Sequence, residues 1–371
     1  MGIACIIKIG NSPVKSLRDH GVRNKECANL LGMTNFWTKL PKPFFALAPL
    51  ENITDAAFRR LIARYGKPDV VFTEFTSADG LFFANHVRGP ASAGGPRSGL
   101  TSNGADESGQ KRLRAKLIFS DSERPIVAQL FTSSPERMKK AAAIVAGLGF
   151  DGIDINMGCP DRAVEKSGCG AALIKAPKLA RELIQAAGSA ELPVSVKTRI
   201  GYLKDELDTW LPELLSENLS AITIHARTRE EMSSVPAHWD AVARAVQIRD
   251  SLKSKTLIIG NGDVRDIADA QTKAKSSGCD GIMLGRAIFG NPFLFSNSQE
   301  FENRKEAKLK ALFEHLILFE ELLSETASYA TMKKHFASYI KGWDGAKELR
   351  MELMKAKNPL EAGDIISRLL N

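Results

Sequence analysis

The chain has 371 residues, 44% hydrophobic and 25% charged, with 51 Lys and Arg against 43 Asp and Glu. That balance excludes a wholly disordered chain, a collagen repeat and a disulfide-built scaffold, and the length suffices for one large domain with a small one, or for two ordinary domains. The net charge of +8 favours polyanionic partners such as nucleic acid or an acidic membrane surface, although many basic proteins bind neither.

No apolar run approaches the ~20 residues that a membrane helix needs, so no membrane association is expected. The start, MGIACIIKIGNS, has no basic residue ahead of its short apolar stretch and reads as a poor secretory signal. The cysteines, Cys5, Cys27, Cys159, Cys169 and Cys279, are odd in number and lack CxxC spacing. They read as reduced thiols of a cytoplasmic protein, with no metal site expected.

Residues 1–43 have weak periodicity and carry seven basic residues against two acidic ones, which reads as an appended N-terminal extension. From Phe44 the texture changes. Short apolar runs recur at 44–49, 70–75, 125–130, 152–156, 193–198, 221–225, 256–261 and 281–285. Most are followed by helical patterns, as at 135–148, 176–189, 240–250 and 264–276. Apolar strands alternating with helices predict parallel β/α units, and eight of them over residues 44–300 fit a closed (β/α)8 TIM barrel, an α/β fold. A doubly wound open sheet is the alternative. Residues 88–112 are rich in Gly, Ser and Pro and predict a flexible insertion. Over 301–371 the strands stop; Leu309, Leu312, Phe313, Leu316 and Ile317, then Met332, Phe336, Tyr339, Ile340 and Trp343, follow helical spacing and predict a small C-terminal helical domain.

In such a barrel the active site lies at the carboxyl ends of the strands. Polar residues collect there: Glu51 and Asn52 after the first strand, Glu74 after the second, Gln129, then Asn156 and Cys159, Lys197 and Arg199, His225 and Arg227, Asn261 and Asp263, and Arg286. Gly260, Gly262 and Gly285 with Arg286 suit a phosphate cradle in the last two loops. Residues 147–152 match GxGxxG literally but lie after a helix and before a strand, the reverse of a dinucleotide fingerprint. Cys159, between Gly158 and Pro160, suits a general acid, because a thiol is mostly protonated at neutral pH and no His adjoins it as an activating base. Cys279 reads as an inert packing residue, and Cys169 as a small residue in a Gly-rich loop.

Taken together, the stretches APLENITDAAFR, VFTEFTSADGL, RPIVAQLF, GFDGIDINMGCP, LPVSVKTRIGY, AITIHARTRE, IIGNGDV, GCDGIMLGRAIFGNP and MKKHFASYIKGWDGAKELR resemble the tRNA-dihydrouridine synthases over residues 44–357, the insertion excepted. The resemblance implies a flavin-binding barrel followed by a helical tRNA-binding domain. It implies FMN as cofactor, NADPH as electron donor and reduction of the C5=C6 bond of particular tRNA uridines. Pro49, Leu50 and Glu51 would line the flavin, Gln129 and Lys197 would contact its ring, and His225, Asn261, Gly262, Asp263, Gly285 and Arg286 would surround its ribityl phosphate. Cys159 would give a proton to C5 and Asn156 would help hold the uracil. Lys333, Lys334, His335, Lys341, Lys347 and Arg350 would contact the tRNA backbone. Where many of the family have Met-Ala-Gly after the proline, this chain has Leu50-Glu51-Asn52. Two rival readings are a flavin barrel acting on a free pyrimidine, as a dihydroorotate dehydrogenase does, and an RNA-binding factor with secondary flavin chemistry.

Overall fold

Each of the eight apolar runs forms a strand: β1 Phe44–Leu47, β2 Val70–Phe72, β3 Ile126–Phe131, β4 Gly152–Met157, β5 Val194–Arg199, β6 Ala221–His225, β7 Leu257–Asn261 and β8 Gly281–Leu284. The structure, a computed structural model, describes residues 35–86, 107–296 and 305–370. Every strand pairing is parallel, and the sheet closes where β1 meets β8, with Phe44 opposite Gly281, and where β2 meets β3, with Val71 opposite Ile126. The second strand breaks after Phe72, and Thr76–Ser77 resumes its pairing with β3 at Leu130 and Phe131. All six residues of β4 are buried. A strand covered by helices outside and side chains inside has no solvent face, which is why these segments read as continuous apolar runs.

The expected helices are present as Pro135–Gly147, Pro177–Gly188, Trp239–Ser251 and Ile267–Ser277. Their ends follow local chemistry. Ser134 accepts from the Arg137 amide ahead of a proline in the first turn, and Asp266 accepts from the Asp269 amide at 2.7 Å.

Two expected boundaries move. Residues 35–43, expected in the extension, pack with the barrel. Residues 36–39 form a short 3-10 helix whose Trp37 is 2% exposed and sits inside the barrel floor, edge-on to Phe44 at 5.8 Å and beside Phe72. The nearby lysines give this stretch its basic, unstructured look in sequence, but the indole needs a dry site. The rest of the expected extension lies outside the described residues, as does most of the expected insertion. The end of that insertion is helical: Glu107–Lys116 forms a helix, so residues 107–112 belong to it.

Among the described residues the C-terminal layer is four helices, Lys305–Leu323, Ala330–Tyr339, Ala346–Lys355 and Pro359–Leu370. The first packs along Ala56–Tyr65, the helix after β1. In this seam Phe58 lies against two imidazoles, His315 at 5.0 Å and His335 at 4.9 Å. Gly290 (φ +71°) brings the chain leaving the barrel against Ala330–Tyr339, and a Cβ there would lie 2.0 Å from the Ser338 carbonyl oxygen. Only glycine fits both the left-handed backbone and this approach. Beneath the seam Arg59 is fully buried; its guanidinium pairs with Glu123 at 3.0 Å and donates to the carbonyls of Thr54 and Ile118. A buried ion pair offsets its desolvation cost only when the remaining donors are satisfied in this way.

Candidate active site

Because all eight strands run the same way, their carboxyl ends share one rim, and the side chains there enclose a cavity of about 390 Å³. Pro49 and Leu50 line it from the loop after β1, Gln129 from β3, Asn156 and Cys159 from β4 and its loop, and Lys197 from β5. His225 closes it at the end of β6; Asn261, Gly262 and Asp263 follow from β7, and Gly285 and Arg286 from β8. Phe75, Arg199 and Arg227 complete the wall.

A buried carboxylate underlies this surface. Asp154 points to the barrel interior from β4, where it accepts from Ser195 Oγ at 2.6 Å and from Gln129 Nε2 at 2.7 Å. Asn156 Nδ2 donates to Gln129 Oε1 at 3.1 Å, and Asn156 Oδ1 accepts from the amides of Gly158 and Cys159. Burial raises Asp154 to about 6 against the pull of these donors and of Lys197. Asp154 was missed in sequence. Its signal was an acid within an otherwise apolar strand, two residues before Asn156 and therefore on the same face.

The cavity is cationic. Lys197 is half-buried at the cavity wall, and desolvation, with Arg199 nearby, lowers its ammonium to about 8. Arg199 spends its donors on carbonyls, at 2.8 Å to Gly158, 2.9 Å to Thr228 and 3.1 Å to Met232. Burial holds His225 well below its usual range, and the cations Lys197, Arg199, Arg227 and Arg286 push the same way, so the imidazole is neutral at pH 7. Burial also pushes the Cys159 thiol up, with the Arg199 and Lys197 charges opposing only in part, so it carries its proton at neutral pH.

Asp263 does not stand as a bare anion at the mouth. Its two oxygens are taken by Arg227 and, at 2.6 Å, by Arg286, and it also accepts from the Ala237 amide at 2.9 Å. It therefore orients two arginines. Gly262 just before it has φ +126°, which admits no side chain without strain.

Other expected residues lie elsewhere. Glu51 does not line the cavity. It turns away to pair with Lys116 at 2.5 Å and borders a second cavity together with Glu74 and Asp55. Glu74, buried beside Asp55 and Glu51, is raised to about 7 by desolvation first and by those charges second. His335 is 2% exposed and packs in the seam against Phe58 and His315, so it cannot reach a nucleic acid backbone. Lys333 donates to the Met354 carbonyl at 2.7 Å and Arg350 to the Ile340 carbonyl at 2.5 Å, ties that hold the helical layer together. Lys334, Lys341 and Lys347 are exposed. Lys341 borders a cleft with Lys305, Lys308 and Trp343. Among the described residues no group of His, Cys, Asp and Glu gathers as a metal site, and no helix is long and apolar enough to cross a membrane.

A family model described as dihydrouridine synthase matches residues 104–370. The "Probable tRNA-dihydrouridine synthase 2" of Bacillus subtilis is 40% identical over 326 residues, which cover 87% of this chain and 93% of that protein. A "Probable tRNA-dihydrouridine synthase" of Staphylococcus epidermidis is 39% identical over 334 residues, covering 90% and 95%. Among solved structures, morphinone reductase aligns at 15% identity over 70% of this chain and 86% of its own, with a TM-score of 0.45.

Proposed function

The chain belongs to the dihydrouridine synthase family, and from that premise we propose that its barrel mouth reduces the C5=C6 bond of uridine in tRNA, with FMN as resident cofactor and NADPH as electron donor. The observation that carries this reading is the pairing state of the cavity cations. Lys197 and Arg199 line the cavity wall, and among the described residues neither has a carboxylate at ion-pair distance; Asp154 and Glu165 act on them only at longer range. Desolvated cations with no directly paired anion are costly unless an anionic ligand completes the site. An isoalloxazine ring, which gains negative charge on reduction, fits that requirement at Gln129 and Lys197. Its phosphate fits the glycines and the Arg227–Asp263–Arg286 clamp at the opposite side of the mouth. Pro49 and Leu50 would give the ring an apolar wall.

When bound, a reduced flavin would supply the hydride that saturates C6, with the nicotinamide donor as its source of electrons. The remaining work falls to the chain. Cys159 Sγ holds a proton at neutral pH and delivers it to C5 of the uracil; the resulting thiolate regains a proton from solvent. Asn156 sits beside it with an amide suited to the uracil edge, although its Oδ1 already serves the Cys159 loop. The target base must leave its stack, which costs least in a loop of folded RNA. The exposed Lys334, Lys341 and Lys347 would hold the phosphate backbone. A tRNA substrate supports a cytoplasmic location.

The test is direct. Protein loaded with FMN is incubated with NADPH and tRNA transcribed without modifications, and the nucleosides are analysed by mass spectrometry. The two-hydrogen mass gain on uridine is expected. Its absence with fully loaded protein contradicts the reading.

A further inference from the structure

We propose that Asp154 is a positioning residue for Cys159: its carboxylate fixes the orientation of the Gln129 and Asn156 amides, and through them the loop that carries the thiol. The two ends of one hydrogen-bond chain fix its polarity. At the inner end, Asp154 offers only acceptors to its neighbours, so the Gln129 atom 2.7 Å away must be the NH2 group. At the outer end, the amides of Gly158 and Cys159 can only donate, so the Asn156 atom they meet, at 3.2 Å and 2.9 Å, must be the oxygen. Between them Gln129 Oε1 faces Asn156 Nδ2 at 3.1 Å. Both ends demand the same polarity, and neither amide can flip without placing like against like.

Asp154 is itself held. Ser195 Oγ binds its other oxygen at 2.6 Å, and no part of it is exposed. The charge of Lys197 stabilises it from the next strand. The chain thus transmits a single choice, made at a fixed carboxylate in the barrel interior, to the backbone of a loop at the mouth. An amide at 154 can turn either its oxygen or its NH2 toward Gln129, so the single choice is lost and the chain reverses in part of the molecules. Asn156 then loses its acceptor, turns, and sets its own NH2 against two backbone N–H groups. The Cys159 loop relaxes outward and its thiol becomes more accessible to water. The consequence for catalysis depends on the role proposed for Cys159. The consequence for the loop depends on neither flavin nor tRNA.

The test therefore reads the thiol. Full-length Asp154→Asn protein and the wild type are alkylated with iodoacetamide across pH 6–10, and the Cys159 peptide is followed by mass spectrometry, which separates it from the other cysteines. We expect the midpoint for Cys159 to fall in Asp154→Asn and its rate near neutral pH to rise, on the order of tenfold for each unit of midpoint. The double variant Asp154→Asn/Gln129→Glu should restore the wild-type profile, because a carboxylate at 129 accepts from Asn156 in either orientation and takes a donor from the new amide at 154. A merely structural aspartate would not be rescued in this way. An unchanged Cys159 profile in Asp154→Asn, or no return in the double variant, overturns the proposal. Should Asp154→Asn fail to fold, Gln129→Leu cuts the same chain at its middle and must produce the same shift; an unchanged midpoint there overturns it equally. Failure of the wild type to form dihydrouridine, with the Cys159 shift present in Asp154→Asn and reversed in the double variant, would instead count against the enzymatic reading alone.

Discussion

His315 and His335 lie ring against ring, 4.6 Å between centroids, with both imidazoles buried in the seam between barrel and helical layer. Burial keeps both neutral: His315 is held well below its usual range, and His335 is lowered to about 4. Each therefore binds a proton more readily in the unfolded chain. The stability they permit is complete above the unfolded value of about 6.5 and is lost as pH falls toward the folded value. Asp55 in the same seam acts oppositely, since burial raises it to about 6 and its protonation favours the folded state. The expected result is that His315→Phe flattens the fall of Tm between pH 7 and pH 5 relative to wild type. Parallel curves would assign the acid lability elsewhere.

Removing the Cys159 thiol should stop proton delivery without emptying the site. Cys159→Ala is expected to bind FMN and tRNA as the wild type does and to lose about 10²- to 10⁴-fold in the rate of dihydrouridine formation. Single-turnover kinetics, with tRNA binding measured separately, distinguish this from a binding defect.

The activity should decline on the alkaline side. Lys197 loses its proton at about 8, and its positive charge is the cavity's nearest match for an electron-rich ring. A Lys197→Met variant is expected to bind FMN more weakly and to lack that alkaline limb in its FMN titration. An identical pH profile in the variant would show that another group titrates.

Asp263 is predicted to act through the arginines it holds. In Asp263→Asn the clamp on Arg227 and Arg286 loosens. FMN affinity should fall by about tenfold, with riboflavin, which lacks the phosphate, little affected. Equal loss for both ligands would place Asp263 at the ring instead.

Trp37 tests where the barrel begins. Its indole fills the floor, so Trp37→Ala should cost about 3–5 kcal/mol in urea unfolding. A cost within the noise would return residues 35–43 to the status of an appendage.

Much of this was legible in sequence, for physical reasons that can be named. Parallel strands covered on both faces read as apolar runs, so β1 to β8 stood out. The rim residues could be found because each lies in the carboxyl-terminal part of its strand or in the loop just past it. What failed depended on contacts distant in sequence. Glu51 looked like a cavity residue, but its partner Lys116 lies on a helix beyond the insertion, and the left-handed Asn52 turns the loop between them. His335 was grouped with its basic neighbours. Its spacing from Met332 and Tyr339 put it on the buried face, and that periodicity outweighs charge in a packed helix. Asp263 does line the cavity, but its pairing with Arg227 and Arg286, from two other loops, is not legible in sequence.

The central claim is that this cavity passes electrons to a uridine in RNA. Protein loaded with FMN is reduced anaerobically, unmodified tRNA is added, and the flavin absorbance is followed. Reoxidation by tRNA, and not by free uridine or orotate, is the predicted result. A flavin that stays reduced with tRNA but is reoxidised by a free pyrimidine would contradict the account.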